Sequence, residues 1–242
     1  MLALRGNREE IAAWYFVALL LSIAVKGEEE TAKPIPLFFL IILATLLMLL
    51  AIKLFDPVLI RRLLFGLELI FLTLAFAYFL SPLSLPGYLS IVAPIVRITA
   101  GEKVENASVA VISGVLAGLV GKEMSPNDAA LLLSITVVYD FIAVFVTGHM
   151  KTIARAVSPG FSEGPVPSDR YSLGSGDVAL PAVMVSAAFK AAPVVGIALT
   201  LTAMVGLVLL FVYVSRKPGI LPALPFIASP QLVVYVLLSP LW

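Results

Sequence analysis

Two aspartates stand inside apolar stretches of the chain: Asp140 in VVYDFIAVF and Asp177 in LGSGDVALP. An aspartate at the centre of a membrane-spanning helix costs about 2.5–3.5 kcal/mol on insertion scales, so an acid kept there reads as functional. Two carboxyls brought together in a low-dielectric site do not both ionise readily, and sharing one proton is the way out. The anion then acts as general base on a water, while the acid protonates the group that the water attacks. If Asp140 sits on a helix, Thr136, Asp140, Ala143 and Thr147 share one small, polar face, and Phe141 and Phe145 point elsewhere.

The elements that must carry these residues are set by composition. Of the 242 residues, 61% are hydrophobic and 13% are charged, and the mean hydropathy is +1.08. A soluble domain carries about 25% charged and about 45–50% apolar residues, so the chain reads as an integral membrane protein. Nine spans of roughly 20 residues use roughly 180 positions. The remainder is too small for a soluble domain, and a single transmembrane domain over residues 1–242 is expected.

Apolar runs place helix 1 at about Ile11–Val25, helix 2 at Pro34–Ile52 and helix 3 at Leu63–Leu80. Helix 4 falls near Pro82–Ile98, interrupted by Pro86 and Pro94, and helix 5 near Ala107–Val120. Helix 6 covers Asp128–Gly148, helix 7 Leu173–Ala192, helix 8 Val194–Val214 and helix 9 Ile220–Leu241. Lysine and arginine favour cytoplasmic segments. With the N-terminus inside, twelve of the sixteen fall on that side, and Lys26, Lys33, Lys122 and Lys190 fall outside. The expected topology is nine spans, N-terminus cytoplasmic and C-terminus outside. Asp140 then lies roughly 12 Å, and Asp177 roughly 6 Å, from the cytoplasmic ends of antiparallel neighbours, at 1.5 Å per residue. The long polar connection from Met150 to Ser172 reads as a short amphipathic helix followed by a Pro/Gly/Ser loop.

Other chemistries find little support. Cysteine is absent, which excludes thiol catalysis and thiolate metal sites, and the one histidine, His149, cannot make a two-histidine zinc motif. No metal or cofactor is expected. The net charge of +1 without a basic run leaves no footprint for nucleic acid. His149 reads as an interfacial residue at a helix C-terminus, and Lys190 as an interfacial anchor. Glu68, a third acid in a span, is expected to snorkel or to pair with Arg61 or Arg62. A transporter or channel using the same two acids for protons or cations is the competing reading. It does not account for the glycines before Asp177 or for the LPALP segment.

Those segments form a set. Tyr139-Asp140 lies in helix 6, Gly174-Ser175-Gly176-Asp177 opens helix 7, and Leu221-Pro222-Ala223-Leu224-Pro225 opens helix 9. In this order they resemble the presenilin and signal peptide peptidase family of GxGD intramembrane aspartyl proteases, closest to the presenilin homologues of archaeal type. The resemblance implies an all-α, presenilin-like fold with helices 1–5 (about 1–125) ahead of catalytic helices 6–9 (about 126–242). It implies hydrolysis of peptide bonds within transmembrane segments by Asp140 and Asp177. Tyr139, Gly174, Ser175, Gly176, Leu221, Pro222, Ala223 and Leu224 would be motif and substrate-positioning residues. Substrates would be membrane proteins or peptides in the lipid bilayer of the cell membrane, cleaved without obligatory partner subunits, by a single chain or a homo-oligomer. Glycines before Asp177 would let an extended substrate strand approach. Ser175 stands where leucine is common in animal members, which bears on substrate preference. The connection between helices 6 and 7 is short beside that of animal presenilins, so self-cleavage does not carry over. An inside N-terminus matches presenilins, whereas signal peptide peptidases are inverted.

Overall fold

Prolines and short polar side chains mark where the helices begin. Asn7 accepts the Glu10 N–H at 2.8 Å and opens α1 (Arg8–Ala24). Asp56 accepts the Val58 N–H at 2.6 Å and opens α3 (Pro57–Leu80), with Pro57 in the first turn. Ser125 accepts the Asp128 N–H at 3.1 Å and opens α6 (Pro126–Phe141), again ahead of a proline. Each cap satisfies one of the donors a helix leaves unpaired, and proline at the first position has no donor to lose. The remaining helices are α2 (Pro34–Leu54), α4 (Val92–Ala100), α5 (Glu105–Lys122), α7 (Ser175–Ala191), α8 (Pro193–Arg216) and α9 (Leu224–Leu238). This computed structural model describes residues 3–25, 32–81, 86–150, 152–153, 171–216 and 221–239.

Among the described residues the architecture is all-α, with one small ribbon of sheet. Among the described residues, four helical segments are long and apolar enough to cross a membrane: Pro34–Leu54, Pro57–Leu80, Pro126–Val146 and Pro193–Arg216. At 1.5 Å per residue they reach about 30 Å or more, the thickness of a bilayer's hydrocarbon core. On α2, Phe39, Leu40, Leu43, Leu46, Leu47 and Leu50 are all exposed. Such a surface suits lipid rather than water, and the chain is a membrane protein.

Helix α7 is the hub. It packs against α1, α5, α6, α8 and α9, and its stretch from Pro181 to Ala188 is buried without interruption. Small residues permit this. A Cβ on Gly121 of α5 would lie 2.5 Å from the Val183 carbonyl oxygen of α7, and one on Gly206 of α8 would lie 2.6 Å from the Phe226 carbonyl oxygen of α9. Close backbone approach is how helices associate where no hydrophobic force separates side chain from lipid. Gln231 of α9, fully buried, donates to the carbonyls of Pro181 (3.4 Å) and Leu199 (3.2 Å) and ties three helices together.

Several expectations are modified. The fourth helix is split: Gly87–Ile91 forms a tight 3-10 turn and only Val92–Ala100 is α-helical. The segment Gly87–Ala100 is an apolar helix of less than spanning length, and residues 82–85 lie outside those described. Glu68 neither snorkels nor pairs with Arg61 or Arg62. It is buried and meets Arg97 of α4 at 2.6 Å, Nε to Oε1. Arg97 also donates to the Gly101 carbonyl at 2.7 Å. The pair is charge-compensated and hydrogen-bonded, which is the condition for burying either partner. Most of the connection between α6 and α7, residues 154–170, lies outside the described residues, as does the expected start of the ninth helix at Ile220.

The ribbon was not expected. Strand β1 (Ala3–Gly6) pairs antiparallel with β2 (Tyr171–Gly174), with Ala3 opposite Gly174, Leu4 opposite Leu173, Arg5 opposite Ser172 and Gly6 opposite Tyr171. It joins the first residues of the chain to those immediately before α7. Leu4 and Leu173 both enter the main core. The seventh helix therefore starts at Ser175, two residues later than the apolar run suggests.

Candidate active site

Asp140 is the penultimate residue of α6, and Asp177 lies in the first turn of α7. The two helices pack against each other, and the two carboxyls lie within electrostatic reach of one another. Asp140 is 8% exposed, and Asp177 is half-buried.

Each carboxylate meets the start of a helix. Helix α9 begins at Leu224, with Ala223 as its cap and Pro225 in its first turn. The Leu224 N–H donates to Asp140 Oδ2 at 3.3 Å, the Phe226 N–H turns to the Ala223 carbonyl at 3.1 Å, and Pro225 has none to offer. The first-turn donors of α9 are thus accounted for, one of them by the aspartate 84 positions earlier. Asp177 sits in the first turn of its own helix, three residues after the N-cap Gly174, the position from which an acidic side chain faces the unpaired N–H groups of a helix start. Helix N-termini favour negative charge, so both carboxyls sit where an anion is tolerated even in an apolar surround.

The α-helix carrying Asp140 changes its winding two residues later, at Ile142. Residues Ile142–Val146 form a π turn, and the Thr147 N–H reaches the Ile142 carbonyl at 3.0 Å. A π turn adds a residue to the repeat and turns the following side chains off register. Thr136 and Ala143 stay buried with Asp140, but Thr147 is exposed and leaves the face that simple helical spacing gives it. Phe141 and Phe145 are exposed, as expected.

Tyr139 lies beside Asp140 in sequence but is engaged elsewhere. Its hydroxyl meets His149 Nε2 at 3.1 Å, and its ring packs edge-on against Phe38 of α2, with centroids 5.9 Å apart. With Phe38, Ser134, Ile135, Val138 and Ile142 it lines an apolar groove between α2 and α6. His149 is thereby bound to Tyr139 and Thr147 at the end of the π turn.

The glycines before Asp177 take ordinary backbone shapes. Gly174 has φ −63° and ψ 148°, open to any residue. Gly176 is exposed, and a Cβ there would meet nothing within 4 Å. Gly176 leaves clear space next to Asp177 in the chain, and neither glycine is called for by backbone freedom. Ser175 is half-buried at the first position of α7. Leu221 and Pro222 are non-helical, Pro222 to Leu224 are buried, and the segment reaches Asp140 through the Leu224 N–H. Pro181, four residues after Asp177, removes the N–H that would bond the Asp177 carbonyl within α7.

Sequence reasoning missed one neighbour. Tyr15 of α1 is fully buried, its hydroxyl finds no hydrogen-bond partner among the described residues, and Asp177 is the charge that bears on it. The available signal was a phenol within the apolar run IAAWYFVALL.

The fold has solved counterparts. A presenilin family intramembrane aspartate protease in a C222 crystal form matches with a TM-score of 0.73 and 14% sequence identity, over 97% of this chain and 99% of that chain. A presenilin family intramembrane aspartate protease in a P2 crystal form matches at 0.71 and 18% identity, over 96% and 97%. No protein-family model and no curated protein matches the sequence. At these identities the likeness is one of fold.

Proposed function

We propose that the chain is an intramembrane aspartic endopeptidase of the presenilin kind, hydrolysing peptide bonds within the transmembrane segments of membrane proteins. The observation that carries this reading is the convergence of Asp140 and Asp177 from adjacent helices, each at a helix N-terminus, in a fold shared with intramembrane aspartate proteases.

In this reading one carboxylate takes a proton from a water as the water oxygen attacks the scissile carbonyl carbon. The other carboxyl gives its proton to the carbonyl oxygen, leaving a neutral gem-diol. On collapse the C–N bond breaks, the departing nitrogen takes the proton held by the first aspartate, and a hydroxyl proton returns to the second. The pair is then ready for another cycle. The Leu224 N–H orients Asp140 and leaves its other oxygen for the water. Gly174, Ser175, Gly176, Leu221, Pro222 and Ala223 shape the site around the pair rather than react, while Tyr139 acts from the groove between α2 and α6.

A helical substrate has its carbonyls bonded internally, so one peptide must be freed before attack. Adding the unwound segment as a strand beside Tyr171–Gly174 does this. In this reading the N-terminus and both catalytic ends lie on the cytoplasmic side, as the distribution of lysine and arginine suggests, which suits substrates whose N-terminus is outside.

A hydroxyl-containing transition-state mimic separates this reading from a carrier. Such a mimic should block cleavage of a fluorogenic single-span peptide and compete with a photoreactive active-site probe, because its hydroxyl takes the place of the attacking water between two carboxyls. Asp-dependent proton or cation flux across liposomes, insensitive to the mimic and without peptide cleavage, would replace the protease by a transporter.

A further inference from the structure

The backbone of Arg5 is held from outside the ribbon. Its N–H donates to Asn106 Oδ1 at 2.8 Å, and its carbonyl accepts from Asn106 Nδ2 at 2.6 Å. The Asn106 carboxamide, near the start of α5, thus makes the donor–acceptor pair that a neighbouring strand would make. Its second amide hydrogen goes to Glu10 Oε1 at 2.8 Å. In an antiparallel pair, opposite residues alternate between those that exchange both backbone bonds and those whose backbone groups face outward. Arg5 faces Asn106, so Arg5 and Ser172 are an outward-facing pair, and Leu4–Leu173 and Gly6–Tyr171 are the bonded ones. Ser172 and Gly174 therefore turn their backbone groups away from β1.

The ribbon then has two unlike edges. The outer edge of β1 is closed by Asn106. The outer edge of β2 carries the outward groups of the exposed Ser172 and runs directly to Asp177. Strand β1 is also fastened by side chains: Leu4 is fully buried, Arg5 pairs with Glu105 at 3.5 Å, and Arg8 donates to the Tyr171 hydroxyl at 2.7 Å.

We propose that β1 is a permanent scaffold strand of a substrate-binding sheet, fixed by Asn106 as a positioning residue, so that an extended substrate segment adds to the outer edge of β2 without displacing β1. This rests on the protease reading and gives that site its docking edge and its orientation. A strand held by Asn106 on one side and β2 on the other keeps β2 extended and aims it at Asp177. Were β1 instead an internal occupant of the substrate's place, substrate would have to expel it.

The chain contains no cysteine, so a single disulfide can be placed cleanly. An outward-facing antiparallel pair brings its Cα atoms close enough to bridge. The double variant Arg5→Cys/Ser172→Cys should oxidise and, locked, cleave a single-span peptide within about twofold of its reduced form, whereas Asn106→Leu should raise KM about fivefold with kcat little changed, the size expected for losing one well-made anchoring interaction. The oxidised disulfide, placed in the Asn106→Leu protein, should restore KM. Failure of the disulfide to form overturns the register. Cleavage by the wild type and the reduced variant, lost on oxidation and regained on reduction, overturns the scaffold role alone. An unchanged KM in folded Asn106→Leu overturns the part given to Asn106. No cleavage by the wild type overturns the protease reading, and this inference with it.

Discussion

Replacing Tyr15 with phenylalanine removes one oxygen from the interior beside Asp177. That oxygen is fully buried and has no hydrogen-bond partner among the described residues. A buried donor left unmade costs about 1–3 kcal/mol, whereas an apolar side chain of the same shape carries no such cost. Tyr15 packs in the main core with Ile11, Leu19, Val178 and Ala182, so the phenylalanine ring keeps its neighbours and the void left is smaller than a methyl group. The substitution should therefore stabilise the resting protein by about 1–2 kcal/mol. For a chain of this size that is a rise in Tm of about 2–8 °C. Turnover should stay within about threefold, because the hydroxyl makes no hydrogen bond to Asp177. Thermal unfolding in detergent micelles, followed by intrinsic fluorescence with kcat measured on the same preparation, checks both outcomes. A fall in Tm would show that the hydroxyl is satisfied in the folded protein and would refute the reasoning.

Further outcomes follow from the same geometry. Gly206→Ala puts a Cβ 2.6 Å from the Phe226 carbonyl oxygen and 2.7 Å from the Ile227 Cα. It must push α9 from α8, costing about 1–3 kcal/mol, and should lower kcat by moving Leu224 off Asp140; an unaltered Tm would contradict the close packing. Arg97→Met leaves Glu68 buried without its partner and should cost about 3–5 kcal/mol, most of it recovered in Glu68→Leu/Arg97→Met. Equal losses in the single and double variants would show that the ion pair is not the issue. Hydrolysis should have a bell-shaped pH profile, falling at acid pH where both aspartates are protonated and at alkaline pH where both are ionised. A profile flat from pH about 4 to 9 would remove the shared proton from the account.

The parts legible in the sequence are those with a repeat longer than a turn. Apolar runs marked the helices but placed two starts late: α3 begins at Pro57 rather than Leu63, and α6 at Pro126 rather than Asp128, because the capping residues and first-turn prolines lie ahead of the apolar run. Local motifs pointed to Asp140, Asp177 and the LPALP segment, and the Leu224 N–H at Asp140 shows the first and last of these meeting in space. The ribbon escaped because ALRG is too short for a period of two to register, and its partner lies some 170 positions away. Helical spacing put Thr147 with Asp140 because nothing in IAVFV announces the π turn that separates them. Glu68 was matched to arginines on its own helix, as sequence proximity suggests, but Arg97 reaches it from α4. Tyr15 and Asn106 belong to no motif that would single them out in the sequence. Their importance arises from what tertiary structure places beside them.

The central claim is that Asp140 and Asp177 together direct water at a peptide bond. The direct measurement is mass spectrometry of products from a single-span peptide in liposomes, in water enriched in heavy oxygen, for the wild type, Asp140→Asn and Asp177→Asn. The account predicts two fragments from the wild type, with the heavy isotope in the new C-terminal carboxylate, and none from either folded variant. Cleavage that persists in one of the variants, or a new carboxylate without the isotope, would contradict it.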